Sequence, residues 1–192
     1  MDGGKIRHFF YGEETMNSPL ISHTNISPNK TPNRKAPIDT ITIHCVVGQV
    51  SVETLGRIFA DKTRQASANY GIGSDGRIGL YVNEIDRSWC SSNAANDHRA
   101  VTIEVASDTV APYTVTEAAY ASLIYLVADI CRRNGIQKLK WHHDPSLLNK
   151  IDGNGKLLQN MTLHKWFANK ECPGQFLEER MFDIAAKVNA LL

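Results

Sequence analysis

The 192-residue sequence predicts an α/β fold: a single domain with a central mixed β-sheet, antiparallel at one hairpin, flanked by helices. Three patterns carry that prediction. Residues 38–44 and 101–106 alternate apolar and polar side chains with a period of two, as strands with one buried face do. Asp75-Gly76 separates two further apolar runs in the manner of a tight hairpin turn. Between and beyond these runs, apolar residues recur at helical spacing. Composition agrees: 42% hydrophobic and 21% charged residues suit a folded domain rather than a disordered chain.

Taken in order, residues 1–36 are polar and rich in Asn, Ser and Pro, and read as an irregular N-terminal segment; the domain proper is expected over residues 37–192. The first fifteen residues are charged throughout and lack the apolar core of a signal peptide, and Met16 offers an alternative start. The expectation is a protein made in the cytoplasm that needs some other route if it acts outside the cell. Ile41 and Ile43 alternate with Thr40, Thr42 and His44, and Gly48 ends that strand. Ser51 caps a short helix reaching about Asp61, with Glu53 in its first turn. The hairpin pairs residues 69–73 with 77–82, and Val101, Ile103 and Val105 form one face of the next strand, with Thr102 and Glu104 on the other.

Thr114 and Glu117 form a capping box for a helix whose stripe is Ala119, Leu123, Leu126, Val127 and Ile130, and Gly135 ends it. A short strand is expected over 139–141 and a loop over 144–160. A single final helix is expected from about Gln175 to the C-terminus, with Leu177, Met181, Ile184, Ala185, Val188 and Leu191 on one face. The four cysteines, Cys45, Cys90, Cys131 and Cys172, are expected as free thiols, with Cys131 in the core.

Charge and hydropathy exclude two classes of partner. With 21 basic and 20 acidic residues the net charge is +1, so no global field holds a polyanion, and nucleic acid is not the main partner. No apolar run approaches the roughly 20 residues that a membrane span requires.

The chemistry concentrates near the C-terminus. His164 and Cys172 lie eight positions apart, and Pro173-Gly174 turns the chain directly after the thiol. Imidazole and thiolate are preferred zinc ligands, and a catalytic zinc takes three protein ligands and keeps one position open. Lys170 favours the thiolate. Taken alone, the pair fits a surface histidine and an unrelated core cysteine equally well. His44, on the polar face of its strand, is the natural third ligand, against the alternative of a structural histidine. Glu104 interrupts an apolar strand; partial burial would raise its pKa and suit it to proton transfer, whereas a half-exposed sheet would leave it solvated. His142-His143 ranks lower, because adjacent residues of an extended chain point in opposite directions. Asp152-Gly-Asn-Gly lacks the remaining elements of a calcium loop and reads as a turn.

Together the strand with His44, the run NYGIGSDGRI, the strand TIEVAS with Glu104, and His164 followed by KECPG resemble the zinc-dependent N-acetylmuramoyl-L-alanine amidases of the type 2 family. These share a fold with the peptidoglycan recognition proteins, and the likeness is greatest to amidase domains of phage and prophage endolysins. It covers about residues 38–172. The resemblance implies His44, His164 and Cys172 as zinc ligands, Glu104 as general base and Lys170 beside the scissile carbonyl. It implies bacterial peptidoglycan (a muropeptide) as substrate and cell-wall degradation as the activity. Some members place a tyrosine at the start of the strand before the Asp-Gly turn; here that position is Ala68, with Tyr70 expected two residues later on the same face. Asn69 and Trp89 are assigned to the substrate groove, with core or turn roles as their alternative. Two other functions compete: a binding module of the same fold that does not cut its ligand, and a structural zinc domain with His142 or His143 as fourth ligand.

Overall fold

A computed structural model describes residues 17–192; the expectations for residues 1–15 and for Met16 lie outside them. In chain order the elements are β1 (His23–Thr24), β2 (Lys30–Thr31), β3 (Thr40–Val47), α1 (Val52–Ala60), β4 (Tyr70–Ile72), β5 (Ile78–Leu80) and β6 (Arg87–Ser88). There follow α2 (Ala94–Arg99), β7 (Ala100–Ser107), α3 (Glu117–Arg133), β8 (Met161–Thr162), α4 (Gln175–Glu178) and α5 (Met181–Asn189). Six strands form one sheet in the order β1-β5-β4-β7-β3-β8, and β2 pairs with β6 in a separate ribbon. β8, β3, β7 and β4 run parallel, and β5 reverses direction at the hairpin. This is the mixed sheet flanked by helices that the periodicities predict.

The period-two pattern decides what each face of the sheet does. Ile41 and Ile43 of β3, Val101, Ile103 and Val105 of β7, and Tyr70 and Ile72 of β4 share one buried cluster with Leu123, Leu126, Val127 and Ile130 of α3 and Met181, Ile184 and Val188 of α5. Fully burying side chains of this size stabilises by about 1.5–3 kcal/mol each. The opposite face carries Thr42, Thr102, His44 and Glu104. Its lower half is tied by hydroxyls: Thr42 to Thr162 (2.7 Å) and Ser88 to Thr102 (2.7 Å), with Asn96 donating to Thr42 (3.0 Å). Its upper half holds His44 beside Glu104, paired in register across β3 and β7.

Several predicted boundaries shift for identifiable reasons. The residue that caps α3 is Thr116, not Thr114: its hydroxyl accepts from the Ala119 N–H and donates to the Ser74 carbonyl, whereas the Thr114 carbonyl is held by Asp108. Gly135 does end α3, with the Ile136 N–H returning to the Cys131 carbonyl. Residues 139–141 form no strand. Two asparagines clamp them instead: the Asn189 side-chain amide takes both backbone groups of Leu139, and Asn160 accepts from the Lys140 N–H at its side-chain oxygen and donates its own backbone N–H to the Lys140 carbonyl. The C-terminal segment is two helices rather than one. The Arg180 N–H turns to the Leu177 carbonyl, and the Arg180 guanidinium covers both the freed Phe176 carbonyl (3.0 Å) and the Phe176 ring.

Residues 17–36 do more than wrap the domain irregularly. β1 adds an edge strand beside β5. Ser27 and Asn29 are buried and donate to the Phe59 and Asp61 carbonyls at the end of α1. Arg34 reaches the Glu84 and Asp97 carbonyls and the Asn69 side chain.

Glu84 anchors this side of the molecule. It is 1% exposed and accepts from the Tyr70 hydroxyl (2.6 Å), Arg133 (2.6 Å) and Asn134 (3.1 Å). Glu84→Ala removes one partner of a buried ion pair, and a loss of about 3 kcal/mol in urea unfolding is expected; a loss below 1 kcal/mol would show that solvent or Asp129 replaces it.

Candidate metal and proton-transfer site

Three segments deliver the donor atoms. β3 places His44, fully buried, on the polar face of the sheet. After β8, Leu163 is buried in the core and the chain turns into a single 3₁₀ turn, His164–Trp166. The Lys165 N–H then donates to the Cys172 carbonyl (3.2 Å), which holds the two ligand-bearing turns side by side. The turn after the thiol closes through the Gly174 N–H to the Glu171 carbonyl. Gly174 sits at φ +82°, and a Cβ there would lie 2.8 Å from the Tyr113 ring, so this position requires glycine.

The donor atoms of His44, His164 and Cys172 all lie within 4.8 Å of one another. The Cys172 Sγ is 3.3 Å from His44 Nδ1. Ligands of a tetrahedral zinc stand about 3.5 Å apart, given bonds near 2.3 Å to sulfur and 2.0 Å to nitrogen, so the pair fits such an ion. His164 Nε2 lies 3.1 Å from the Ser92 hydroxyl, the kind of outer hydrogen bond that orients a metal-binding imidazole.

The electrostatics suit a cation. Burial, reinforced by the neighbouring His164, pushes His44 down to about 3, so its ring is neutral with a free lone pair. Burial and the Lys170 ammonium lower His164. The hydrogen bond with Cys45, burial and the Glu104 charge raise Cys172, and a divalent ion in the triad would reverse that sign.

Glu104 stands next to His44, and the two form a second cluster with Cys90. Burial raises its carboxyl to about 7, against the hydrogen bond from Cys90 and the charge of Arg64. Its Oε2 is buried and has no partner among the described residues, and neither has His44 Nε2. Lys170 is exposed.

The remaining assignments fare differently. Asn69 is fully buried and does not reach a groove. Its amide donates to the Val82 carbonyl and its oxygen accepts from Thr102 and Arg34, so it ties β7 to the chain before β4. Trp89 is half-buried, and its indole N–H donates to Thr31 (2.9 Å), fastening the N-terminal strap. Ala68 and Tyr70 do not share a face: Ala68 packs with Leu55 and Phe59, and Tyr70 packs under α3. The strand begins only at Tyr70, so alternation does not extend back to Ala68. The Tyr70 hydroxyl is committed to Glu84 and Ser18, away from the triad.

His142 and His143 lie outside the triad. His143 stacks on Trp141 and meets Glu178. Asp152 closes its own turn by accepting from the Asn154 and Lys156 N–H groups. Sequence reasoning missed Cys90, Ser92 and Arg64, which no local pattern marks. An apolar groove of about 550 Å³ between α3 and α5 contains none of the triad.

A family model described as N-acetylmuramoyl-L-alanine amidase matches residues 34–175. Among curated proteins there is no match. Several solved structures share the fold. The N-acetylmuramoyl-L-alanine amidase LysC from Clostridium intestinale URNW is 21% identical, with 90% of this chain and 99% of that chain covered and a TM-score of 0.63. AmpD is 18% identical (93% and 98% covered, TM-score 0.62). A mutant form of PlyL is 13% identical (88% and 98% covered, TM-score 0.64).

Proposed function

Because the chain belongs to the N-acetylmuramoyl-L-alanine amidase family, we propose that it is a zinc-dependent peptidoglycan hydrolase that cleaves the amide between N-acetylmuramic acid and L-alanine. The observation that carries this reading is the convergence of His44, His164 and Cys172 beside a buried carboxylate whose proton affinity lies near neutrality. Zinc, when held by that triad, supplies Lewis acidity, which polarises a carbonyl and lowers the pKa of water towards about 7. Glu104 accepts a proton at Oε2 from the attacking water and returns it to the leaving amine. Its value of about 7 suits both directions of transfer. Lys170 is assigned to the charge that develops on the carbonyl oxygen. No tyrosine from β4 takes part, so Glu104 carries the proton transfer.

The protein acts on the bacterial cell wall as an endolysin-type enzyme. No helix among the described residues is long and apolar enough to cross a membrane. A binding module of the same fold is the alternative, and Cys172, a ligand that completes the triad, favours the enzyme. Incubation with purified walls is expected to release new N-terminal alanine. Activity is lost with a chelator and restored by zinc. Wall binding without new amino termini would establish the module instead, and chelator-resistant release would remove the metal.

A further inference from the structure

We infer that Cys90 is a positioning residue for Glu104: its thiol holds one carboxylate oxygen so that the other faces the metal triad. This rests on Glu104 being the proton-transfer group. The Cys90 Sγ lies 3.7 Å from Glu104 Oε1, the sulfur hydrogen bond that this oxygen makes, while Oε2 is buried and unpartnered among the described residues. Cys90, Glu104 and His44 each offer a potential ligand atom within 4.8 Å of the other two, so the carboxylate that the thiol holds at Oε1 lies beside a ligand of the triad. Rotation about the last side-chain bond of a glutamate is soft, and a single bond to one oxygen restricts it.

The thiol is itself held in place. The Cys90 and Ser91 N–H groups both donate to the Asp97 carboxylate, which also accepts from the Ser91 hydroxyl. Asp97 is buried and belongs to α2, so the turn over residues 90–93 is clamped to a helix. The half-buried Cys90 also packs against the cluster of Leu55, Phe59 and Tyr81. Burial and the adjacent Glu104 charge raise the thiol well above its ordinary range, so sulfur is the donor and the carboxylate the acceptor. A thiol gives a weaker hydrogen bond than a hydroxyl, and such a contact orients the base without neutralising it.

The test is a double-mutant cycle on the zinc-loaded protein with muropeptide at pH 8. Cys90→Ala is expected to lower kcat about tenfold with KM and zinc content unchanged. Cys90→Ser, which keeps a donor, restores kcat to within about threefold of wild type. In the Glu104→Gln background, Cys90→Ala has no further effect. Wild-type kcat in Cys90→Ala, or the same tenfold loss in both backgrounds, overturns the positioning role while leaving Glu104 as the base. Wild-type turnover in Glu104→Gln overturns the base itself. If Cys90→Ala does not fold, Cys90→Val replaces it. A readout independent of turnover is the infrared S–H band that disappears in Cys90→Ala: it shifts towards the unbonded frequency in Glu104→Ala, and an unshifted band overturns the contact.

Discussion

Glu104→Gln is expected to keep zinc and to lower muropeptide turnover by about 10²–10⁴-fold, the usual contribution of a positioned proton-transfer group. The same change is expected to stabilise the chelator-treated protein at pH 8. Burial raises the Glu104 pKa from 4.5 to about 7. A raised pKa contributes stability that is complete below the unfolded value and lost as pH rises through the folded one. Above pH 7 the wild type therefore carries a buried charge costing about 3 kcal/mol, which glutamine lacks.

His44 works in the other direction. Its pKa is lowered to about 3, so its contribution is complete above its ordinary 6.5 and lost as pH falls. The two slopes largely cancel in the wild type between pH 4.5 and 6.5. Glu104→Gln removes one of them, and its stability should climb with pH across that window. Urea unfolding at pH 5 and pH 8 in chelator measures both effects. Parallel pH curves for the two proteins would show that the carboxylate is solvated.

Cys172→Ala is the second large effect. It leaves two imidazoles, and zinc affinity is expected to fall by at least about 10²-fold, with wall lysis lost. The wild type gains stability with zinc as a logarithm of concentration over Kd, about 4 kcal/mol at a thousandfold excess. That increment should vanish in Cys172→Ala while the melting temperature in chelator changes little, because Cys172 lies in a loop outside the main core. Elemental analysis and melting curves with and without zinc read both. A variant that still binds one equivalent of zinc tightly would mean that the sulfur is not a ligand.

The chain's local patterns went far towards the fold. The alternation in β3 and β7 assigns Ile41, Ile43, Val101, Ile103 and Val105 to a core face and His44 and Glu104 to the polar one, as the sheet has them. The stripe on α3 and its stop at Gly135 follow from spacing alone. The errors arise where backbone groups are satisfied by side chains distant in sequence. Asn189 and Asn160 remove residues 139–141 from any sheet, and the Ser74 carbonyl fixes Thr116 as the cap. β1, β2, β6 and β8 are two residues long, too short for a periodic signal.

For the site, residue type and spacing nominated the five groups, and the family likeness ordered them. Linear pattern determined the chemistry available, because imidazole, thiol and carboxylate are covalent properties of the chain, and it determined which strand face His44 and Glu104 would occupy. Only packing decided that His44 and Cys172, 128 positions apart, stand 3.3 Å from each other, and that Asn69 ends in the interior. Only packing, too, brought the Cys90 thiol to Glu104 and raised that carboxyl towards neutrality. Burial and through-space proximity are properties of the assembled core, and no window of consecutive residues contains them.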